Sequence, residues 1–298
     1  MPLEYVVIPS VQLKEIIQRT SEFFKGKGIE SARLDAELLI ASVLKLDRVG
    51  LYLKFDYPLK ESELDSCREL VKRRASGEPV AYILGKKDFF KSTFIVNKNV
   101  LIPRPETEEL VEDALEFAKK NQSTCIVDLG TGSGCIGLSL IKELPEAKLL
   151  AVDISEDALS VAKQNAEALG LSGRVQFLKM DAGELSQNDS EAALGGLAEV
   201  VVANPPYISE SDPNVSAQVR AFEPAKALFA ASNGLREIER WSQVADKISN
   251  SGAFTMFEIG MTQGAQAREI FLKYPNFTKV NLKKDLSGRD RFICAYKV

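Results

Sequence analysis

Between residue 11 and about residue 76, apolar side chains return every three or four positions. Val11, Leu13, Ile16, Ile17, Phe23 and Phe24 mark one amphipathic helix, Leu34, Leu38, Leu39, Val43 and Leu44 a second, and Leu64, Cys67, Leu70 and Val71 a third. "KGKG" (25 to 28) and "DYPL" (56 to 59) break the pattern between them. The spacing predicts a small helical bundle with no strand signal. Two short β-rich runs follow, around 86 to 91 and 93 to 96, and predict a hairpin. Pro103 and Pro105 then hold the chain extended, with Pro105 placed to open a helix whose first turn carries Glu106, Glu108 and Glu109.

From residue 125 the period changes. Apolar runs at 125 to 129, 148 to 153, 175 to 180, 199 to 203, 253 to 259, 276 to 282 and 291 to 297 predict strands, and helical patterns at 135 to 143, 156 to 169 and 263 to 273 fall between them. This alternation predicts an α/β fold with a mostly parallel sheet covered on both faces. The last two strands are joined by the turn "KKDLSGRD" without a helix, so one of them is expected to run antiparallel. The expected division is a helical domain over 1 to 84, a hairpin linker over 85 to 102, and an α/β domain over 103 to 298.

Composition narrows the chemistry. The 298 residues are 45% hydrophobic and 27% charged, the balance of a folded globular chain, and the formal net charge of −4 does not favour a polyanion partner or a membrane surface. The opening segment lacks a basic stretch followed by a long apolar one, and no apolar run reaches about 18 residues, so a cytoplasmic protein is expected. The four cysteines have no metal-ligand spacing and read as buried free thiols. No metal site is expected. The chain contains no histidine, which excludes Ser-His-Asp and Cys-His catalysis, HExxH zinc sites and imidazole proton shuttles.

The strand at 125 to 129 runs into "GTGSG". Gly130, Gly132 and Gly134 let the backbone turn sharply and let a ligand approach, with Thr131 and Ser133 between them. The next strand ends in Asp153, 23 residues after Gly130, the interval at which a carboxylate accepts the hydroxyls of a ribose. The third strand ends in Asp181, followed by Ala182, near where an adenine would lie. Together these predict an adenosyl ligand across the strand ends. S-adenosyl-L-methionine is preferred to a dinucleotide, because the second nucleotide-binding half is missing and a pocket rimmed by Asp128, Asp153 and Asp181, rather than Lys or Arg, suits a sulfonium.

The fourth strand ends in Asn204-Pro205-Pro206-Tyr207. An amide or aromatic amino nitrogen is a poor nucleophile because its lone pair is delocalised. The Asn204 side-chain oxygen and the Pro205 carbonyl can each accept one N–H of a planar NH2 group, Pro206 brings no competing donor, and Tyr207 can stack on the plane. Positioning of this kind is worth roughly 7 to 11 kcal/mol without a strong base.

With these residues in place the chain resembles the class I methyltransferases with an NPPY motif, and more closely the protein-(glutamine-N5) methyltransferases that modify peptide chain release factors. "GEPVAYILG" (77 to 85), "LIPRPETEELV" (101 to 111), "VDLGTGSGCI" (127 to 136), "NPPYI" (204 to 208), "VRAFEPAKAL" (219 to 228) and "EIGMTQG" (258 to 264) carry the likeness. It implies a Rossmann-like seven-stranded sheet, S-adenosyl-L-methionine as methyl donor, and the glutamine of a Gly-Gly-Gln loop as acceptor. It also implies a helical N-terminal domain that helps grip the factor. Gly130 to Gly134, Asp153, the Asp181-Ala182 pair and Asn204 would hold the cofactor; Asn204, Pro205, Pro206 and Tyr207 would hold the amide. Ala182 departs from the larger apolar or aromatic residue common there. The motif NPPY is shared with adenine-N6 methyltransferases of nucleic acid, and a sister group methylates a ribosomal-protein glutamine, so both stand as alternatives. A monomer is the simplest expectation.

Overall fold

The structure is a computed structural model and describes residues 11–298. It divides after Gly85 into two compact units. The first ten residues of the expected helical domain lie outside the described residues.

The first unit holds α1 (Leu13–Gly26), α2 (Ala32–Leu44), α3 (Arg48–Leu53), α4 (Glu61–Ala75) and α5 (Val80–Leu84); α1, α2 and α4 are the helices the three-and-four spacing predicts, and the short α3 and α5 were not expected. Leu13, Ile17, Ile40, Leu51 and Leu64 pack one small core, and Phe24, Ala36, Leu39 and Ile83 a second. Asp35 and Arg74, both buried, pair at 2.6 Å between α2 and α4. Glu37, 1% exposed, accepts from Arg33, Arg48 and the Tyr52 hydroxyl and so ties α3 to α2.

The second unit begins with the hairpin β1 (Lys86–Phe89) and β2 (Ser92–Ile95), paired antiparallel. Phe89 and Phe94, fully buried and edge-to-face at 6.0 Å, drive it into the core of this unit. There follow α6 (Thr107–Asn121), β3 (Cys125–Leu129), α7 (Cys135–Glu143), β4 (Lys148–Asp153), α8 (Glu156–Ala168), β5 (Val175–Lys179), α9 (Gln187–Leu194) and β6 (Ala198–Ala203). The chain closes with α10 (Ala217–Phe222), α11 (Ala225–Leu228), α12 (Arg236–Ile248), β7 (Ser249–Glu258), α13 (Gly264–Leu272), β8 (Phe277–Lys284) and β9 (Asp290–Lys297). The helix expected to open at Pro105 starts two residues later, with Glu106 as its N-cap, so only Glu108 and Glu109 load its first turn.

Seven strands form one sheet in the order β5-β4-β3-β6-β7-β9-β8. The first five in this order are parallel and β9 is antiparallel to both β7 and β8, as the helix-free last turn requires. Alternate residues of β6 serve opposite faces: Val200 and Val202 pack in one core with Leu110, Leu138 and Leu149, while Val201 and Ala203 pack in the other with Ile238, Trp241 and Phe257. Strands buried on both faces read as continuous apolar runs, which is why they were visible in the sequence. Strand order reverses at β3, whose neighbours β4 and β6 lie on either side, and ligands of open α/β sheets bind at such a crevice.

Candidate active site

The C-terminal ends of β3, β4 and β6 open into a cavity of about 430 Å³. Gly130, Thr131, Gly132 and Ser133 line it from the β3 turn, and Asp153, Asp181 and Ala182 from the following strand ends. Asn204 and Pro206 line it from the end of β6. Gly134 is not part of the wall. Four separate strand tips thus meet at one cavity.

The three glycines differ in what they do. All have positive φ, which a side chain rarely tolerates. A Cβ at Gly130 would meet the Trp241 ring at 2.5 Å, and one at Gly134 would meet Leu138 at 2.8 Å; both make room for the protein's own core. At Gly132 the nearest atom is the Gly130 carbonyl at 3.9 Å, so this position alone offers a ligand open backbone. Asn165 of α8 holds the turn from behind, donating to the Ser133 carbonyl at 2.8 Å while exchanging two hydrogen bonds with Ile95 of β2.

Asp153 accepts the Gly132 amide on Oδ2 and the Ser155 amide on Oδ1, both at 2.9 Å. Its carboxylate fixes the loop and keeps lone pairs for a ribose. Burial pushes its pKa up against these two donors. Asp181 accepts the Gly183 amide and the Arg240 guanidinium, each at 2.9 Å. Burial alone would raise it, and Arg240 outweighs this and holds it below the ordinary carboxylate range.

Two expectations about charge are corrected. Asp128 does not rim the cavity: it is fully buried beneath the loop, where Oδ2 accepts the Thr131 hydroxyl at 2.7 Å and the Gly137 amide at 3.1 Å. Its role is to tie the turn to the start of α7. Nor is the cavity free of cationic residues, since Arg104, Lys226 and Arg240 line it. Arg240 is paired with Asp181, and Arg104 with Glu223 at 2.5 Å, so two of the three are neutralised in place.

At the end of β6, Pro205 is buried and Tyr207 lies outside the cavity wall. The Tyr207 hydroxyl donates to Glu258 Oε1 at 2.9 Å, and its backbone carbonyl accepts from Gln263 at 2.8 Å. Burial, with the neighbouring Glu258 charge, raises its pKa far above the usual phenol value. Asn204 Nδ2 donates to the Thr107 hydroxyl at 3.4 Å.

The residues fit an adenosyl cofactor: an open backbone cradle at Gly132, a carboxylate beside it at Asp153, and an apolar floor at Ala182. Among the described residues no cluster suited to a metal ion is present, and no helix is long and apolar enough to cross a membrane. All four cysteines are free, although Cys125 and Cys294 are only half-buried.

The chain is similar to known proteins over nearly its whole length. A family model for the PrmC N-terminal domain matches residues 15–85, and one for the methyltransferase small domain matches 110–239. The release factor glutamine methyltransferase of Bacillus subtilis is 39% identical over 287 residues, covering 94% of this chain and 96% of the relative. That of Rhodopirellula baltica is 36% identical, covering 95% of each. The chain belongs to the release factor glutamine methyltransferase family. Among solved structures, the catalytic domain of hMettl16 in complex with an RNA hairpin superimposes with a TM-score of 0.53 at 17% identity, covering 80% of this chain and 82% of that one. This likeness shows the class I methyltransferase fold.

Within this family framework, the structure adds residues to which the sequence reading gave no role. Thr107, Arg104 and Trp241 line the cavity, and Glu258 and Arg291 stand behind Asn204 and Tyr207. Thr107 and Glu258 lay inside quoted motifs. The available signal was a carboxylate ending a mostly apolar run, "AFTMFE".

Proposed function

We propose that this protein methylates the N5 nitrogen of the glutamine in the Gly-Gly-Gln loop of peptide chain release factors, using S-adenosyl-L-methionine, in the cytoplasm. The observation that carries this reading is the shared cavity: Asn204 and Pro206 open onto the same space as Gly132 and Asp153.

Gly132, Asp153 and the Asp181-Ala182 pair would hold the cofactor, which when bound supplies an electrophilic methyl carbon on a sulfonium. The remaining work belongs to the chain. The Asn204 Oδ1 and the Pro205 carbonyl accept the two N–H groups of the substrate amide and aim its nitrogen lone pair into the cavity. Tyr207, pinned through its hydroxyl to Glu258 outside the cavity wall, anchors the strand end that carries Asn204 and Pro205. The N–C bond would form as the methyl–sulfur bond breaks with its electron pair left on sulfur, and the one surplus proton on nitrogen would pass to water. No imidazole is required, in keeping with a chain that has none. The helical domain is assigned a part in gripping the factor.

The test is transfer of labelled methyl from S-adenosyl-L-methionine to three acceptors: intact release factor, the factor with its Gly-Gly-Gln glutamine changed to alanine, and ribosomal protein. Label on intact factor alone is expected. Label on ribosomal protein alone, or equal label on the altered factor, would overturn the reading.

A further inference from the structure

Resting on that reading, we propose that Glu258 is a positioning residue that decides which way the Asn204 amide faces. Glu258 ends β7, is 1% exposed, and is not part of the cavity wall. Its Oε2 accepts the hydroxyl proton of Thr107 at 2.6 Å. Burial raises the Glu258 pKa, against the Thr107 and Tyr207 hydroxyls and the Arg291 charge, which favour its ionised form. So held, the carboxylate can only accept and the threonine hydroxyl has one proton to give, so Thr107 Oγ1 faces its next neighbour as an acceptor.

That neighbour is Asn204. The Thr107 oxygen selects the Nδ2 end of the amide, at 3.4 Å, and leaves Oδ1 for the cavity. A flipped amide would set two oxygens against each other at Thr107 and present N–H groups to an acceptor amide that itself needs to donate. The bond to Thr107 is long, so the preference comes from this mismatch of polarity more than from bond strength. The second carboxylate oxygen, Oε1, accepts the Tyr207 hydroxyl at 2.9 Å. One buried carboxylate therefore orients Asn204 through Thr107 and also pins Tyr207, which follows it on the same strand end. Arg291, which reaches the Tyr207 hydroxyl at 3.5 Å, supplies positive charge on the far side.

Glu258→Gln keeps the shape but adds an N–H. Facing Thr107, that N–H makes Thr107 an acceptor on the β7 side and frees its proton for Asn204, which reverses the amide. The experiment uses the full chain with intact release factor as acceptor, measuring kcat, KM, cofactor affinity by calorimetry and the melting curve for Glu258→Gln, Thr107→Val and Thr107→Ser. For Glu258→Gln and Thr107→Val, kcat is expected to fall about 100-fold, the scale of a misaligned reacting group. In Glu258→Gln, KM and cofactor affinity should stay within about threefold, and Thr107→Ser, which keeps the hydroxyl, should retain kcat within about threefold of wild type.

A Glu258→Gln enzyme with unaltered kcat, or one that changes only KM, overturns the role. So does a Thr107→Ser enzyme as impaired as Thr107→Val, and that pair decides the matter if Glu258→Gln does not fold. Wild-type enzyme that leaves intact factor unlabelled overturns the assigned acceptor itself. Labelling by wild type with an unimpaired Glu258→Gln overturns the positioning role alone.

Discussion

The Trp241 ring lies against the α-carbon of Gly130, at the place a Cβ would occupy. The first glycine of the cofactor turn is thus fixed by the helix α12 packed beside it. Gly130→Ala should destabilise the fold by about 1–3 kcal/mol through overpacking, while Gly132→Ala, with open space above it, should cost about 1 kcal/mol from its positive φ alone. Binding should rank the other way, with Gly132→Ala losing more affinity for S-adenosyl-L-methionine per unit of lost stability. Urea melts paired with calorimetry check both; equal melting losses would contradict the packing argument.

Asp153 fixes the loop and is the residue proposed to hold the ribose. Asp153→Ala removes acceptors from the Gly132 and Ser155 amides as well as from a ribose, so cofactor affinity should fall at least about tenfold and stability by about 1–2 kcal/mol. Unchanged affinity by calorimetry would remove Asp153 from the cofactor site.

Asn204→Ala should lower methyl transfer by more than about 100-fold while cofactor affinity changes by less than about tenfold, because its assigned task is to orient the acceptor. Single-turnover transfer with saturating cofactor tests this. Turnover near that of wild type would end the assignment.

Asp128 gives stability a pH dependence. Complete burial pushes its pKa up to about 7, against the Thr131 and Gly137 donors, and its Oδ1 has no partner among the described residues. The folded chain therefore holds a proton that the unfolded chain, with an ordinary Asp near 3.9, releases. Stability from this group is fully present below about pH 4 and declines as pH rises to about 7, by on the order of 2–4 kcal/mol. Asp128→Asn should flatten that decline in urea melts taken at pH 5 and pH 8. Parallel profiles for the two proteins would show that Asp128 is ionised throughout.

The sequence exposed what depends on local pattern and hid what depends on approach. Strands β3, β4 and β6 were readable because residues buried on both faces leave runs rich in Val, Leu and Ile, and the edge strand β5 because Val, Phe and Leu are interspersed with Gln and Lys. That Gly132 and Asp153 meet was readable because a turn between strand and helix brings them together within one βαβ unit, whereas the packing duties of Gly130 and Gly134 were not. Asp128 was misjudged because a carboxylate at a strand end looks the same whether it points into a cavity or under a loop; the depth of the Gly137 amide decides it. Thr107 and Glu258 are separated by 151 residues and meet only because α6 packs on the sheet beside β7. No spacing rule reaches that far.

The reversal of strand order at β3 also separates two kinds of evolutionary freedom. Everything assigned to the cofactor comes from β3, β4 and β5 on one side, and everything assigned to the acceptor from β6 and β7 on the other, apart from Asn204, which serves both. Loops on the acceptor side that leave Trp241 and Arg240 of α12 in place can be exchanged or lengthened without disturbing the donor half. A single architecture can then be retuned from one planar nitrogen to another by editing half its rim, with the Asn204 seam as the part that must be kept.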